Sequence, residues 1–173
     1  EKDKILEVIK YLVEHGARLE ESRGGTASAT VNIQDKYKKT ALHYAAHISN
    51  NSAIIEYLIE NGANLNLQGK QNWTVLHYAS NVKNNILVVK YIIEHINPIN
   101  NKKEFINIQD DNGNTALHIA ISNYLYDYID VVLYLIEQGA DIHLQNNNGI
   151  TALSYIFTIP HNNKKISLGW SNH

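Results

Sequence analysis

The sequence predicts an all-α solenoid, a row of stacked antiparallel helix pairs joined by β-hairpin-like finger turns. Three observations carry that prediction. The tetrapeptides Thr40-Ala41-Leu42-His43, Thr74-Val75-Leu76-His77, Thr115-Ala116-Leu117-His118 and Thr151-Ala152-Leu153-Ser154 recur, their threonines 34, 41 and 36 residues apart. Each of the first three is followed by a second apolar run, Ile54 to Ile59, Val88 to Ile93 and Val131 to Ile136. A short extended phrase then leads into each turn and the next threonine: Asn32-Ile33-Gln34-Asp35, Asn66-Leu67-Gln68-Gly69, Asn107-Ile108-Gln109-Asp110 and His143-Leu144-Gln145-Asn146. One such helix pair cannot bury its apolar face alone, whereas a stack of them makes a continuous core.

Taken in order, residues 4–15 place Ile5, Leu6, Val8, Ile9, Leu12 and Val13 on one broad helical face with Gly16-Ala17 behind, the second helix of a unit whose first helix is missing. An insertion from Arg18 to Val31 follows, containing Ser22-Arg23-Gly24-Gly25-Thr26-Ala27-Ser28. Within the next two units the helices are separated at Asn50-Asn51 and Asn84-Asn85, asparagine being the residue that best tolerates positive φ after glycine. Second helices stop at Asn61-Gly62-Ala63 and Gln138-Gly139-Ala140, where glycine takes the left-handed conformation that closes a helix. In the unit between them that signal is Ile96-Asn97, followed by Pro98, so the helix must end differently and the chain must detour through an insertion, residues 97–105. Insertions in solenoids are expected to be surface loops. Gly113 and Gly149 stand two residues before their threonines, and Lys38 and Asn72 occupy that place in the first two fingers, which predicts strained or reshaped fingertips there. Thr151 to Phe157 begins a last first helix that Pro160 interrupts, and residues 164–173 carry no repeat pattern.

Composition narrows the function classes. With 44% apolar residues the 173-residue chain has material for one domain. A net charge of −2 gives no basic field of the kind that gathers phosphates, which argues against nucleic acid as a partner. The absence of cysteine removes disulfides, thiolate metal ligands and cysteine nucleophiles together. No stretch approaches the roughly 18 apolar residues of a membrane span, and residues 1–15 form a charged amphipathic segment rather than a signal peptide, so a soluble protein in a cytoplasmic setting is expected. A chain that begins at Glu1 and contains no methionine reads as a portion of a longer protein. Heavy use of asparagine, isoleucine, lysine and tyrosine, with 13 of the 15 basic residues lysine, fits an AT-rich genome.

Nine histidines raise the question of metal. His43 and His47 stand four apart on a helix, but no acidic residue lies between them and no third ligand is indicated, so no metal site is expected. His15, His95, His143 and His161 fall at helix ends or in loops, where a cation-capable side chain suits the C-terminal dipole. Phosphate-loop, dinucleotide-binding, nucleophile-elbow and zinc-protease patterns do not occur. Asp110 with Asp111, and Asp127 with Asp130, belong to a finger turn and a helix start, where carboxylates satisfy backbone amides. The expectation is a protein with no catalytic residue and no cofactor.

These phased motifs resemble the ankyrin repeat family, whose unit of about 33 residues carries a motif close to T-P-L-H-x-A-A followed by G-A and D-x-x-G. The resemblance spans nearly the whole chain. Ala41, Val75, Ala116 and Ala152 replace the proline after threonine, and alanine also suits a first helical turn. The resemblance implies a single domain over 1–173: a partial repeat plus inserted loop at 1–34, repeats at 35–68, 69–109 (with its insertion) and 110–145, and an incomplete capping repeat and tail at 146–173. It implies that His43, His77 and His118 are scaffold, tying the threonine hydroxyl to neighbouring turns. It also likens Asn66 and Asn107 to asparagines that oxygenases hydroxylate in some members.

By the same resemblance, partners are bound by the fingertips and the adjacent concave face of the first helices. Carried over position by position, the candidates are Lys36, Tyr37 and Lys39 in finger one, Lys70, Gln71 and Trp73 in finger two, Asp111, Asn112 and Asn114 in finger three, and Asn147, Asn148 and Ile150 in finger four. His47, with Ile48, Asn81, Val82, Ser122 and Asn123, is placed near the concave ends of the first helices. Fingers one and two group Lys36, Lys38, Lys39 and Lys70 with Tyr37 and Trp73, which points to an acidic or mixed-charge protein partner. The alternative has Trp73 packed on its neighbour and the lysines merely solvating the edge. The expected function is a monomeric protein–protein interaction module that binds neither nucleic acid, membrane nor small-molecule substrate. With that compositional bias, it resembles a host-directed effector of an intracellular bacterium or large DNA virus, acting in host cytoplasm or nucleus. A substrate-docking arm of a larger enzyme and a bare structural spacer are the other readings.

Overall fold

A computed structural model describes residue 4, residues 7–11 and 14, and residues 31–48, 51–96, 102–122 and 129–158. The expectations for residues 18–30, Asn50, Pro98, Asn123, Asp127, Pro160 and the tail fall outside these. Within them the helices are α1 (Ala41–Ala46), α2 (Ser52–Glu60), α3 (Val75–Ser80), α4 (Ile86–Glu94), α5 (Lys102–Ile106), α6 (Ala116–Ser122), α7 (Ile129–Glu137) and α8 (Ala152–Thr158). The first helices α1, α3, α6 and α8 pack side by side in one layer, and α2, α4 and α7 form a second layer behind them. This is the all-α solenoid that the repeat predicts.

Each first helix starts where the motif places its threonine. Thr40 and Thr74 are extended N-caps, at φ −95° and −78°, and the histidine three residues on folds back to receive the threonine N–H. Leu42, Leu76 and Leu117 from the first helices meet Ile55, Leu58, Ile92, Ile93 and Leu135 from the second, all under 2% exposed. Removing each such side chain from water contributes about 1.5–3 kcal/mol before conformational entropy is subtracted. Residues 7–11 are helical, and the Tyr57 hydroxyl of α2 donates to the Lys10 carbonyl at 3.5 Å, which seats that segment beside α2 as a second helix.

One expectation needs correction. The insertion of the second complete unit is not all loop, because its end forms α5, with Phe105 and Ile106 at 4% and 1% exposure. With no Gly-Ala stop after α4, these two apolar side chains close the core at that joint, and Lys102 Nζ anchors the turn by donating to Gln138 Oε1 at 2.6 Å.

The fingers are four five-residue turns, 35–39, 69–73, 110–114 and 146–150. In each the first N–H donates to the fifth carbonyl, at 2.9, 2.8, 2.8 and 2.9 Å. The pairing is hairpin-like, and among the described residues it extends to a β-bridge only between Gln145 and Thr151.

Candidate protein-interaction surface

Three of the fingers are built alike. Asp35, Asp110 and Asn146 sit first in their turns, and one side-chain oxygen of each accepts the backbone N–H groups of the third and fifth residues at 2.8–3.1 Å. The fourth residue has positive φ: 58° at Lys38, 74° at Gly113 and 73° at Gly149. Finger two departs from this plan because Gly69 stands first and has no side chain to offer. A Cβ there would lie 2.9 Å from the Tyr78 hydroxyl, so the bulk of Tyr78 takes the room an aspartate would need. The turn tightens instead, with Gln71 and Asn72 both left-handed at φ 61° and 58° and the Trp73 N–H donating to the Lys70 carbonyl, the pattern of a type I′ turn. The missing fingertip glycines therefore mark two different solutions, one strained lysine and one reshaped turn.

Buried histidines join neighbouring units. His77 and His118 Nε2 meet the Asn114 and Ile150 carbonyls of the next finger at 3.1 Å, and His43 Nε2 meets the Leu67 carbonyl at 2.9 Å. Nδ1 of each ring faces its threonine N–H at 3.0–3.2 Å, which requires it to be the unprotonated nitrogen and leaves Nε2 as the donor. Burial lowers the pKa of all three from the usual 6.5, so the rings are neutral near pH 7.

The carried-over positions divide into two groups. In fingers three and four they are stitched to each other. The Asn147 N–H and Nδ2 donate to the Asn112 and Asp111 carbonyls, and Asn146 Nδ2 donates to Asn114 Oδ1, each at 2.9 Å. Asp111 accepts from Asn72 Nδ2 at 2.6 Å, and its N–H donates to the Gln71 carbonyl at 3.0 Å. Ile150 is half-buried, and Asn148 is exposed. Ser122 is half-buried, its hydroxyl donating to the Ile119 carbonyl at 3.0 Å, and Asn81 and Val82 are half-buried too. Trp73 is also half-buried: its indole N–H donates to Asp110 Oδ2 at 2.9 Å and its ring meets Tyr78 edge-on at 5.1 Å.

Fingers one and two bring the remaining candidates together as cations over rings. Lys36 Nζ lies 4.9 Å from the centre of the 46% exposed Tyr37 ring, with Lys70 Nζ at 6.0 Å. Lys39 Nζ sits between two rings, 5.1 Å from Tyr44 and 4.7 Å from Tyr78. The exposed His47 caps α1 and meets Tyr78 edge-on at 6.0 Å, with Ile48 half exposed beside it. Tyr44 also donates to Asp35 Oδ2 at 2.6 Å, which holds the Asp35 carboxyl below its usual range and pushes the tyrosine hydroxyl up. Among the described residues, none of Lys36, Lys38, Lys39 and Lys70 forms a salt bridge. Motif reading missed Tyr44 and Tyr78. Each follows the motif histidine directly, four residues after its threonine, a helical spacing that carries it to the same face as the finger above.

Among the described residues no three histidine or acidic side chains gather as a metal-binding group, and no helix is long and apolar enough to cross a membrane.

Comparison with known proteins agrees with this architecture. The family model described as ankyrin repeats (3 copies) matches residues 2–104 and again 49–146. The putative ankyrin repeat protein L92 of Acanthamoeba polyphaga mimivirus is 32% identical over 141 residues, covering 82% of this chain and 22% of that protein. The chain thus spans about a fifth of that relative's length. Ankyrin repeats are protein-interaction modules. On its repeats and these matches, the chain belongs to the ankyrin repeat family.

Proposed function

We propose that the array binds a partner protein through fingers one and two and the concave ends of α1 and α3, and that the partner presents an acidic segment. The observation that carries this reading is Lys39, whose ammonium is held between Tyr44 and Tyr78 and, among the described residues, pairs with no carboxylate. A lysine fixed in this way has already lost much of its rotamer freedom, so a partner carboxylate meets a preset cation at less entropic cost. Lys36, Lys70 and Tyr37 extend the same field along the edge, and His47 and Gln71 border it. Trp73 serves beneath them as a support, since its polar atom is taken by Asp110. On this reading the array is not itself an enzyme and acts as a monomer in the cytoplasm. Likeness to a protein of an amoebal virus supports a host-directed role for it. The second reading, a docking arm of a larger enzyme, is favoured only by the much greater length of that viral relative.

The test is selection from a random displayed-peptide library against the whole chain. Enrichment of aspartate and glutamate is expected, with affinity that falls as salt rises. Tyr37→Ala combined with Lys39→Ala should weaken the selected peptides by about tenfold or more. Asn148→Ala should leave them unchanged. Selected sequences without acidic residues, or retention within about twofold by the double variant, would sink the proposal.

A further inference from the structure

Three of the extended phrases carry an asparagine at the same place, Asn32, Asn66 and Asn107, and two of these do the same work. Asn32 Nδ2 donates to the Gly62 carbonyl at 2.9 Å, and its Oδ1 accepts from the Asn64 N–H at 2.7 Å. Asn107 Nδ2 donates to the Gly139 carbonyl at 3.0 Å, and its Oδ1 accepts from the Asp141 N–H at 2.8 Å. Each carboxamide therefore grips a backbone carbonyl and the N–H two residues further on, with the buried Ala63 or Ala140 between them.

Asn66 has no such partner. Among the described residues its side chain makes no hydrogen bond, and it is exposed. The cause is written in the facing segment. In the repeat's sequence register Pro98 matches Asn64 and Asp141, which supply their N–H, and proline has no N–H to give. Ile96 stands where Gly62 and Gly139 turn at φ 86° and 101°, but it does not have positive φ, so the carbonyl is not aimed back. Among the described residues nothing closes this grip. Beside Asn66 lies a cavity of about 260 Å³ bordered by Ile59, Ala63, Leu65 and Ile96. That is small for a ligand site and suits a short extended strand rather than a folded element.

We propose that Asn66 and this cavity are a second docking site, which holds an extended segment of a partner protein by its backbone. The segment presents a carbonyl to Nδ2 and, two residues on, an N–H to Oδ1. Its central residue is small, as alanine is at the two filled grips, and the residue after it is not proline. This site shares no residue with the cationic edge of fingers one and two.

The probe is a terminally blocked peptide copying residues 60–65, Glu-Asn-Gly-Ala-Asn-Leu, the strand that Asn32 holds within the array. It is titrated into the isotope-labelled whole chain while the side-chain amide resonances of Asn66 are followed. A saturating shift of those resonances is expected. Binding should weaken by about fivefold or more when the second asparagine of the peptide is replaced by proline, and likewise in the Asn66→Ala chain, since one or both backbone bonds are lost. Asn66→Ala should fold normally because the carboxamide it removes is unbonded. The Tyr37→Ala, Lys39→Ala chain should bind the peptide as the parent does. No saturation at millimolar peptide, equal binding of the proline peptide, or equal binding by Asn66→Ala overturns the inference. Loss in the Tyr37, Lys39 variant alone places the peptide on the finger edge and overturns it too, while leaving the proposed function standing.

Discussion

Finger one and finger four lie at opposite ends of one row, have the same turn and hold their neighbours by different means. Finger four is tied to finger three by the backbone and side chain of Asn147, by Asn146, and by Gln109 Nε2 donating to the Gln145 carbonyl at 2.9 Å. Finger one keeps the glutamine tie, Gln34 Nε2 to the Gln68 carbonyl at 3.0 Å, but it also meets its neighbour through cations over rings, Lys70 over Tyr37 and Lys39 over Tyr78 of α3. Hydrogen bonds between fingers saturate the donors and acceptors they use. A lysine above a ring keeps its charge and all three donors available. The lesson is that a repeat can spend its fingertip polarity internally, as rigidity, or leave it outward, for recognition, and this chain does each at a different end.

The largest effect should come from breaking the stitched part at its buried link. His77→Ala leaves the Thr74 N–H and the Asn114 carbonyl without their partner and opens a void, so a loss of about 3 kcal/mol is expected from urea denaturation. Tyr37→Ala, at the outward end, should cost no more than about 0.5 kcal/mol. Comparable losses would erase the distinction between the two ends.

A smaller effect separates two glycines with the same backbone. Gly113 and Gly149 have φ 74° and 73°, but a Cβ on Gly113 would lie 2.6–2.9 Å from atoms of Asn146 and Asn147, whereas nothing lies within 4 Å of one on Gly149. Gly149→Ala should cost about 1 kcal/mol for the left-handed conformation alone, and Gly113→Ala about 2 kcal/mol because finger four must also shift. Equal costs would mean that the stitching of fingers three and four is looser than the distances suggest.

The smallest effect per residue is expected from pH. Burial lowers the pKa of His43, His77 and His118, so the unfolded chain binds protons before the folded one does. The stability these rings contribute is complete above about pH 6.5 and is lost as pH falls from there toward their lowered folded values. The urea midpoint should drop between pH 7.5 and 5.5, and drop less in His77→Ala. A flat profile over that range would show that the rings do not need to be neutral.

Much of this was legible in the sequence because it is local. The threonine caps, the leucines between them, Gly62 and Gly139 at helix ends, and the fingers themselves follow from periodicity and turn chemistry over a few residues. The short helix within the second insertion was not, because α5 forms only where Phe105 and Ile106 find an open core. The role of Trp73 was hidden for a similar reason, since its hydrogen-bond partner, Asp110, is 37 residues away. Tyr44 and Tyr78 were in plain view at the residue after each motif histidine, yet nothing in the motif says that Lys39 will lie between their rings.

By itself, then, the sequence determined the architecture: a repeating unit, its handful of buried positions, and the edge along which variable residues emerge. Only the tertiary structure decided which variable residues are spent and which are free. That depends on what the next unit presents across the joint, as when Asp110 takes the Trp73 N–H, when Asn147 reaches finger three, and when Asn66 finds no side-chain partner among the described residues. Contacts of this kind join residues 30 to 40 positions apart, and they are set by the register of one repeat on the next rather than by the pattern within either.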